Sequence, residues 1–159
     1  MKVDNILGVL ALVFLIWASP AQANGLLDGQ SFTGVIGPAE SPDLDDTLKF
    51  DDGYFWSDIC TRCGFVPGPY TAQETTAGVR FTGVLESDSR GRFSYDGLVK
   101  PDGSIDVRIN WERKRWYWTS RREIVFLGTL RADEDASLVA IREQMARMDP
   151  SSNPLCARF

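Results

Sequence analysis

Cys60-Thr61-Arg62-Cys63 is the pair of side chains in this chain best spaced for chemistry, because two thiols two residues apart can form a redox couple, supply half of a zinc site or attach a haem. Haem attachment requires His next, and residue 64 is Gly. The chain of 159 residues contains no His at all, which also removes Ser-His-Asp and Cys-His hydrolysis, His-ligated zinc and His-ligated haem. A zinc site would have to add Cys156 and a carboxylate, an uncommon donor set. Redox exchange needs a thiol whose pKa is lowered by a cation or a helix N-terminus. Arg62 offers a cation, but residues 56–59 and 64–69 read as a strand running into a loop. The cysteines therefore read first as structural. In an oxidising compartment one of Cys60 and Cys63 joins Cys156 and ties the tail to the body, or Cys60 and Cys63 join each other. A thiol-redox protein using Cys60 and Cys63 is the alternative that these residues keep open.

A second constellation is made of Arg108, Arg113, Lys114, Arg115, Arg121 and Arg122, interleaved with Trp111, Trp116, Tyr117 and Trp118. Six cations fall in fifteen residues with a single acid, Glu112, although the whole chain holds 17 Lys and Arg against 22 Asp and Glu. Such a surface can bind an anion and stack on rings, as an acidic sugar, a lipid head group or a partner's acidic patch would require. Its candidate ligand- or partner-binding residues are Trp111, Arg113, Lys114, Arg115, Trp116, Trp118, Arg121 and Arg122. The plainer reading makes residues 112–114 and 120–122 solvated hairpin ends, with Arg stems lying over rings of the sheet.

Carboxylates give less. Asp43, Asp45, Asp46, Asp51 and Asp52 could share a calcium ion, but the twelve-residue EF-hand spacing is missing and a solvated acidic loop is the default. Glu86 and Asp88 sit where a strand meets a turn, a common place for solubilising acids. No catalytic residue, metal ligand or cofactor is assigned. The net charge of −5 argues against a nucleic-acid partner.

The elements that must position these groups begin after an export segment. Residues 6–18 are an unbroken apolar run led by Met1-Lys2 and followed by Ala21-Gln22-Ala23, the small-x-small form of a signal-peptidase site. Thirteen residues fall short of the roughly 20 that a membrane-spanning helix needs. Residues 1–23 thus read as a signal peptide and 24–159 as a single domain with no further membrane span. The compact signal and the absence of any Asn-x-Ser/Thr site fit a secreted protein of a bacterial periplasm.

From Gln30 to Leu130 short alternating apolar segments are punctuated by Gly, Asp, Ser and Pro. Ile105, Val107, Ile109 and Trp111 share one face of a strand; Asp106, Arg108, Asn110 and Glu112 share the other. Residues 79–86, 92–99 and 105–112, joined by short turns, form an antiparallel meander. Further strands are predicted at 31–36, 47–50, 54–57, 115–120 and 123–130, with Asp52-Gly53 as a turn. The fold class is mainly β, about eight antiparallel strands closing into a barrel. Aromatic-x-Gly-x-aliphatic recurs at Phe32, Phe81, Tyr95 and Phe126, and each copy leaves a glycine gap on one face. Such gaps let a sheet coil and let a neighbouring ring cover them. Leu138, Ile141, Met145 and Met148 are helically spaced behind Asp133-Glu134-Asp135, predicting a C-terminal α-helix over about 134–148 and a tail over 149–159.

This arrangement over roughly residues 30–148 resembles the lipocalin and wider calycin group of small secreted β-barrels. The Gly-x-Trp signature of many lipocalins is missing, the nearest approach being Gly53-Tyr54-Phe55-Trp56. No binding residue is carried over from the family. An eight-stranded barrel either fills with side chains or holds one small ligand. The functional expectation is a non-enzymatic binding protein, taking a small apolar or amphipathic ligand in the barrel or a partner at the Trp- and Arg-rich hairpin. A third possibility is a structural or assembly factor whose acidic envelope partner meets that hairpin.

Overall fold

The computed structural model describes residues 25–158, and the expected signal peptide lies outside them. Eight strands form one closed antiparallel barrel in chain order: β1 (Ser31–Gly37), β2 (Leu44–Asp51), β3 (Tyr54–Ser57), β4 (Gly68–Thr75), β5 (Gly78–Ser87), β6 (Gly91–Val99), β7 (Ser104–Lys114) and β8 (Thr119–Arg131). Closure comes from β1 against β8, running from Ser31 opposite Arg131 to Gly37 opposite Val125. Closure leaves no strand without two neighbours, which limits the exposed edges an all-β chain has to hide, although β3 and β4 pair only through Tyr54 opposite Pro69 and Phe55 opposite Gly68.

The lumen is filled by its own side chains. Phe32, Leu48, Phe50, Phe55, Phe81, Leu85, Phe93, Tyr95, Ile109 and Phe126 are all buried. Phe50 meets Tyr70 and Phe81 edge-on at ring-centroid distances of 5.1 and 5.0 Å, and Phe55 meets Tyr95 at 4.9 Å. Gly83, Gly97 and Gly128 are space into which rings fit, whereas Gly34 lets β1 approach the β8 backbone at Leu127. A Cβ on Gly83 would lie 2.3 Å from Phe55 Cε1, and one on Gly97 would lie 2.2 Å from Phe81 Cε1. Phe55 of β3 thus fills the gap at Gly83 of β5, two strands away, and Phe81 of β5 fills the gap at Gly97 of neighbouring β6.

Three expected elements take a different form. Residues 115–120 are not a strand of their own. Arg115 to Trp118 form the loop of a long hairpin, closed by the Arg115 N–H donating to the Trp118 carbonyl at 2.8 Å, and β8 begins at Thr119. The eighth strand is instead β4, whose inward residues are only Gly68, Tyr70 and Ala72, a dry face too small and too rich in Gly and Pro to read as a strand. Residues 58–62 form a short helix, α1 (Asp58–Arg62), rather than a loop.

The C-terminal helix α2 (Leu138–Met145) is shorter than predicted. Its N-cap is Ser137, which accepts the Ala140 N–H at 3.2 Å, and Asp51 accepts the Leu138 N–H at 2.8 Å. The acids ahead of it are drawn elsewhere: Glu134 pairs with Lys49 at 2.9 Å and Asp133 with Arg131 at 3.1 Å. Leu138 and Ile141 pack against Trp56 on the outside of the barrel. The tail is not extended. It makes two 3₁₀ turns, Pro150–Ser152 and Pro154–Arg158, before and around Cys156.

Candidate functional site

The thiols come apart in space. Cys63 bonds to Cys156, with Cα atoms 5.2 Å apart, and Cys60 is free and buried. Cys60 and Cys63 are therefore not a redox couple in this structure. Cys60 instead ends a polar chain that crosses the inside of the barrel. Asp46, on the inward face of β2, accepts from the Ser57 hydroxyl at 2.6 Å and from the Ile59 N–H at 3.0 Å. Ser57, the N-cap of α1, accepts the Cys60 N–H at 3.1 Å, and Cys60 Sγ lies 3.5 Å from the Tyr95 hydroxyl. These bonds satisfy the open N–H groups at the start of α1, which closes the barrel end with Ile59 and Cys60 turned inward.

Burial pushes the Cys60 thiol up to about 12, with the Asp46 charge adding to it. A nucleophilic thiol needs the opposite shift. Burial also raises the Asp46 carboxyl to about 6, against the lowering effect of its Ser57 and Ile59 hydrogen bonds. Three of the five acids that could have shared a calcium ion are used separately: Asp46 serves α1, Asp51 serves α2 and Asp52 sits in the β2–β3 turn. No three His, Cys, Asp or Glu side chains converge as a metal site among the described residues.

The Arg- and Trp-rich residues do come together, on an arm that outruns the barrel. β6 accompanies β7 only as far as Arg92 opposite Glu112, and β1 accompanies β8 only as far as Gly37 opposite Val125. Beyond those points β7 and β8 pair with each other alone, through Arg113 opposite Ser120 and Lys114 opposite Thr119. At the tip Trp116, Tyr117 and Trp118 are 94%, 64% and 50% exposed. Their rings lean on one another, Trp116 to Tyr117 at 4.7 Å edge-on and Tyr117 to Trp118 at 6.1 Å stacked.

The candidate residues divide at the base of this arm. Trp111 is core: it is buried, its indole N–H donates to the Arg90 carbonyl at 3.0 Å, and the Arg122 guanidinium lies over its ring at 5.7 Å. That is the barrel-wall arrangement of ring and Arg stem. Arg121 and Lys114 share Glu112, at 2.9 and 3.6 Å, and these cations hold the Glu112 carboxyl below its usual range. Arg113 and Arg115 have no salt bridge among the described residues. Tyr117, which sequence reasoning left out of the candidate set, stands between two members of it and is as much part of the tip as they are.

A cleft of about 660 Å³ at the base of the arm is lined by Ile36, Leu44, Phe93, Trp111, Arg122 and Ile124 among others.

No family model matches this chain, and no curated protein or solved structure matches it. The calycin resemblance therefore rests on a closed eight-stranded antiparallel barrel with a C-terminal helix, and reaches no further than that architecture. No helix of the described residues is long and apolar enough to cross a membrane.

Proposed function

We propose that this chain is an exported, non-enzymatic binding protein whose working surface is the β7–β8 arm. The observation that carries the reading is the tip: three consecutive, exposed aromatic rings on a hairpin with no neighbouring strand, backed by Arg113, Lys114, Arg115 and Arg121. Exposed rings in that number gain nothing for the fold, whereas aromatic and Arg side chains are what binding surfaces concentrate. The chemistry-bearing groups elsewhere support the same reading, because Cys63 and Cys156 staple the tail and Asp46, Ser57 and Cys60 cap α1. Export is supported by the apolar run at residues 6–18 and the Ala21-Gln22-Ala23 site.

The test is retention of an envelope extract on the immobilised protein. Changing Arg113, Lys114 and Arg115 together to Ser, or Trp116 and Trp118 together to Ser, is expected to abolish retention without moving the thermal unfolding midpoint. Retention unchanged in both variants overturns the reading and leaves the arm as ordinary solvated charge.

The rim cleft favours a second reading, a small amphipathic ligand held against Phe93 and Trp111 with its polar end near Arg122. Native mass spectrometry of the purified protein would show such a ligand as an added mass that denaturation releases. A native mass equal to that of the bare chain leaves the arm alone.

A further inference from the structure

We infer that the partner of the arm is an anionic lipid surface, with Trp116, Tyr117 and Trp118 seated in the head-group region and the cations behind them on lipid phosphates; this rests on the arm being the binding surface.

Three observations carry the inference. The first is the kind of side chain at the tip. Trp and Tyr are amphipathic rings that settle where hydrocarbon meets water, and the tip holds no Leu, Ile, Val or Phe that would draw it deeper. The second is geometry. The three rings lean on one another at the end of an arm that no other strand flanks, so they present one amphipathic cluster that a fluid interface can surround. The loop is also closed by its own Arg115-to-Trp118 backbone bond, which reduces the cost of moving it out of water.

The third observation is the charge distribution. Residues 113–122 carry five of the 17 cations of the chain and none of its 22 acids. An anionic surface therefore attracts the arm and repels the remainder, which orients the molecule tip-down before any ring makes contact. Arg113 and Lys114 come from β7, Arg115 from the loop, and Arg121 and Arg122 from β8, so both strands present cations behind the tip.

The experiment is flotation of the chain from Asn24 onward, which contains the whole barrel, with vesicles of phosphatidylglycerol mixed into phosphatidylcholine and with phosphatidylcholine alone. The expected result is co-flotation with the anionic vesicles, little with the neutral ones, and release by high salt. Changing Arg113, Lys114 and Arg115 to Ser is expected to weaken partitioning by on the order of 100-fold, at about fivefold per cation. Changing Trp116 and Trp118 to Ser is expected to weaken it by roughly tenfold or more. Lys114, Arg115, Trp116 and Trp118 are exposed and Arg113 is half-buried, and an unchanged circular-dichroism melt confirms that both variants fold.

Wild-type protein that stays with the aqueous fraction at low salt overturns the inference, and so does a Trp116 and Trp118 variant that floats like wild type. The same variants on the envelope extract separate the two levels of the proposal. A protein captured only when Trp116 and Trp118 are present, with no vesicle binding, replaces the lipid by a protein partner and keeps the arm. Loss of neither vesicle nor extract binding removes both.

Discussion

Gly83 and Phe55 are a fitted pair inside the barrel, two strands apart: a Cβ added to Gly83 would stand 2.3 Å from Phe55 Cε1 and 3.0 Å from its Cδ1 and Cζ. The ring cannot retreat, because Phe50, Phe81 and Tyr95 enclose it at centroid distances of 5.9, 6.1 and 4.9 Å. Gly83→Ala is therefore expected to lower the unfolding free energy by roughly 1–3 kcal/mol, the usual cost of overpacking a dense core. Urea denaturation measures it. Combining Gly83→Ala with Phe55→Leu should cost less than the two single changes added together, since the smaller side chain makes the room that the methyl needs. Simple additivity of the two would show that the ring is not what excludes the methyl.

That pair also shows how far the sequence could be read. Glycine set between an aromatic and an aliphatic residue at period two is visible along the chain, and it points to a coiled sheet with rings over gaps. Which ring covers which glycine is not visible, because Phe55 and Gly83 are 28 positions apart and meet only through the register of β3 on β4 and of β4 on β5. The same limit explains β4. Its inward face is Gly68, Tyr70 and Ala72, and Tyr70 is covered by Phe50 of β2 and by Leu27, residues distant in sequence, rather than by apolar neighbours along its own strand. Helix α1 escaped notice because its caps are split: Ser57 is local, while Asp46 comes from a strand eleven residues earlier. At the arm, composition located the cations and the rings. Only the lengths over which β6 and β1 stop accompanying β7 and β8 separate Trp111, which is core, from Trp116 and Trp118, which are tip.

Asp46 sets a pH dependence whose sign follows from its shift. Its folded-state pKa, about 6, lies above the ordinary 3.8, so folding favours the protonated acid. The stability this group gives is full below about pH 4 and falls as pH rises through about 6, a change on the order of 3 kcal/mol. Asp46→Asn cannot ionise. The variant should therefore gain on the wild type steadily between about pH 4 and pH 6, whatever its stability at the acid end. Exposed carboxylates such as Asp102, Asp133 and Asp149 have lowered pKa values and cancel in this comparison, being present in both proteins. Urea midpoints measured across the window check it. A difference that stays flat from pH 4 to pH 6 would show Asp46 to be solvated.

The Cys63–Cys156 bond spans 93 positions of sequence and ties the tail to the barrel end that α1 closes. The Arg90 guanidinium donates to the Cys156 carbonyl from the β5–β6 turn, so the same end gathers three separate segments. Changing both Cys63 and Cys156 to Ser is expected to lower stability by up to about 4–5 kcal/mol, the chain-entropy value for a loop of that length. The variant should also become sensitive to proteolysis within residues 149–158. Equal stability in the presence and absence of reductant would show that the bond is not formed in solution.

Cys60 gives the last and simplest discrimination, because its burial and its bonding are both specific to this arrangement. The side chain is 1% exposed, it lies against the Tyr95 hydroxyl, and burial holds its thiol far from ionisation at neutral pH. A thiol-alkylating reagent should therefore leave the native protein unlabelled. Unfolded in denaturant without reductant, the chain should take up one equivalent, and peptide mapping should place it on Cys60. Labelling of Cys156 instead would mean that Cys60 and Cys63 pair with each other, which would restore the C-x-x-C couple and detach the tail. Rapid labelling of Cys60 in the native protein would mean that α1 opens readily, exposing a nucleophile beside Asp46 and Tyr95, and the thiol-redox alternative would then have a physical basis.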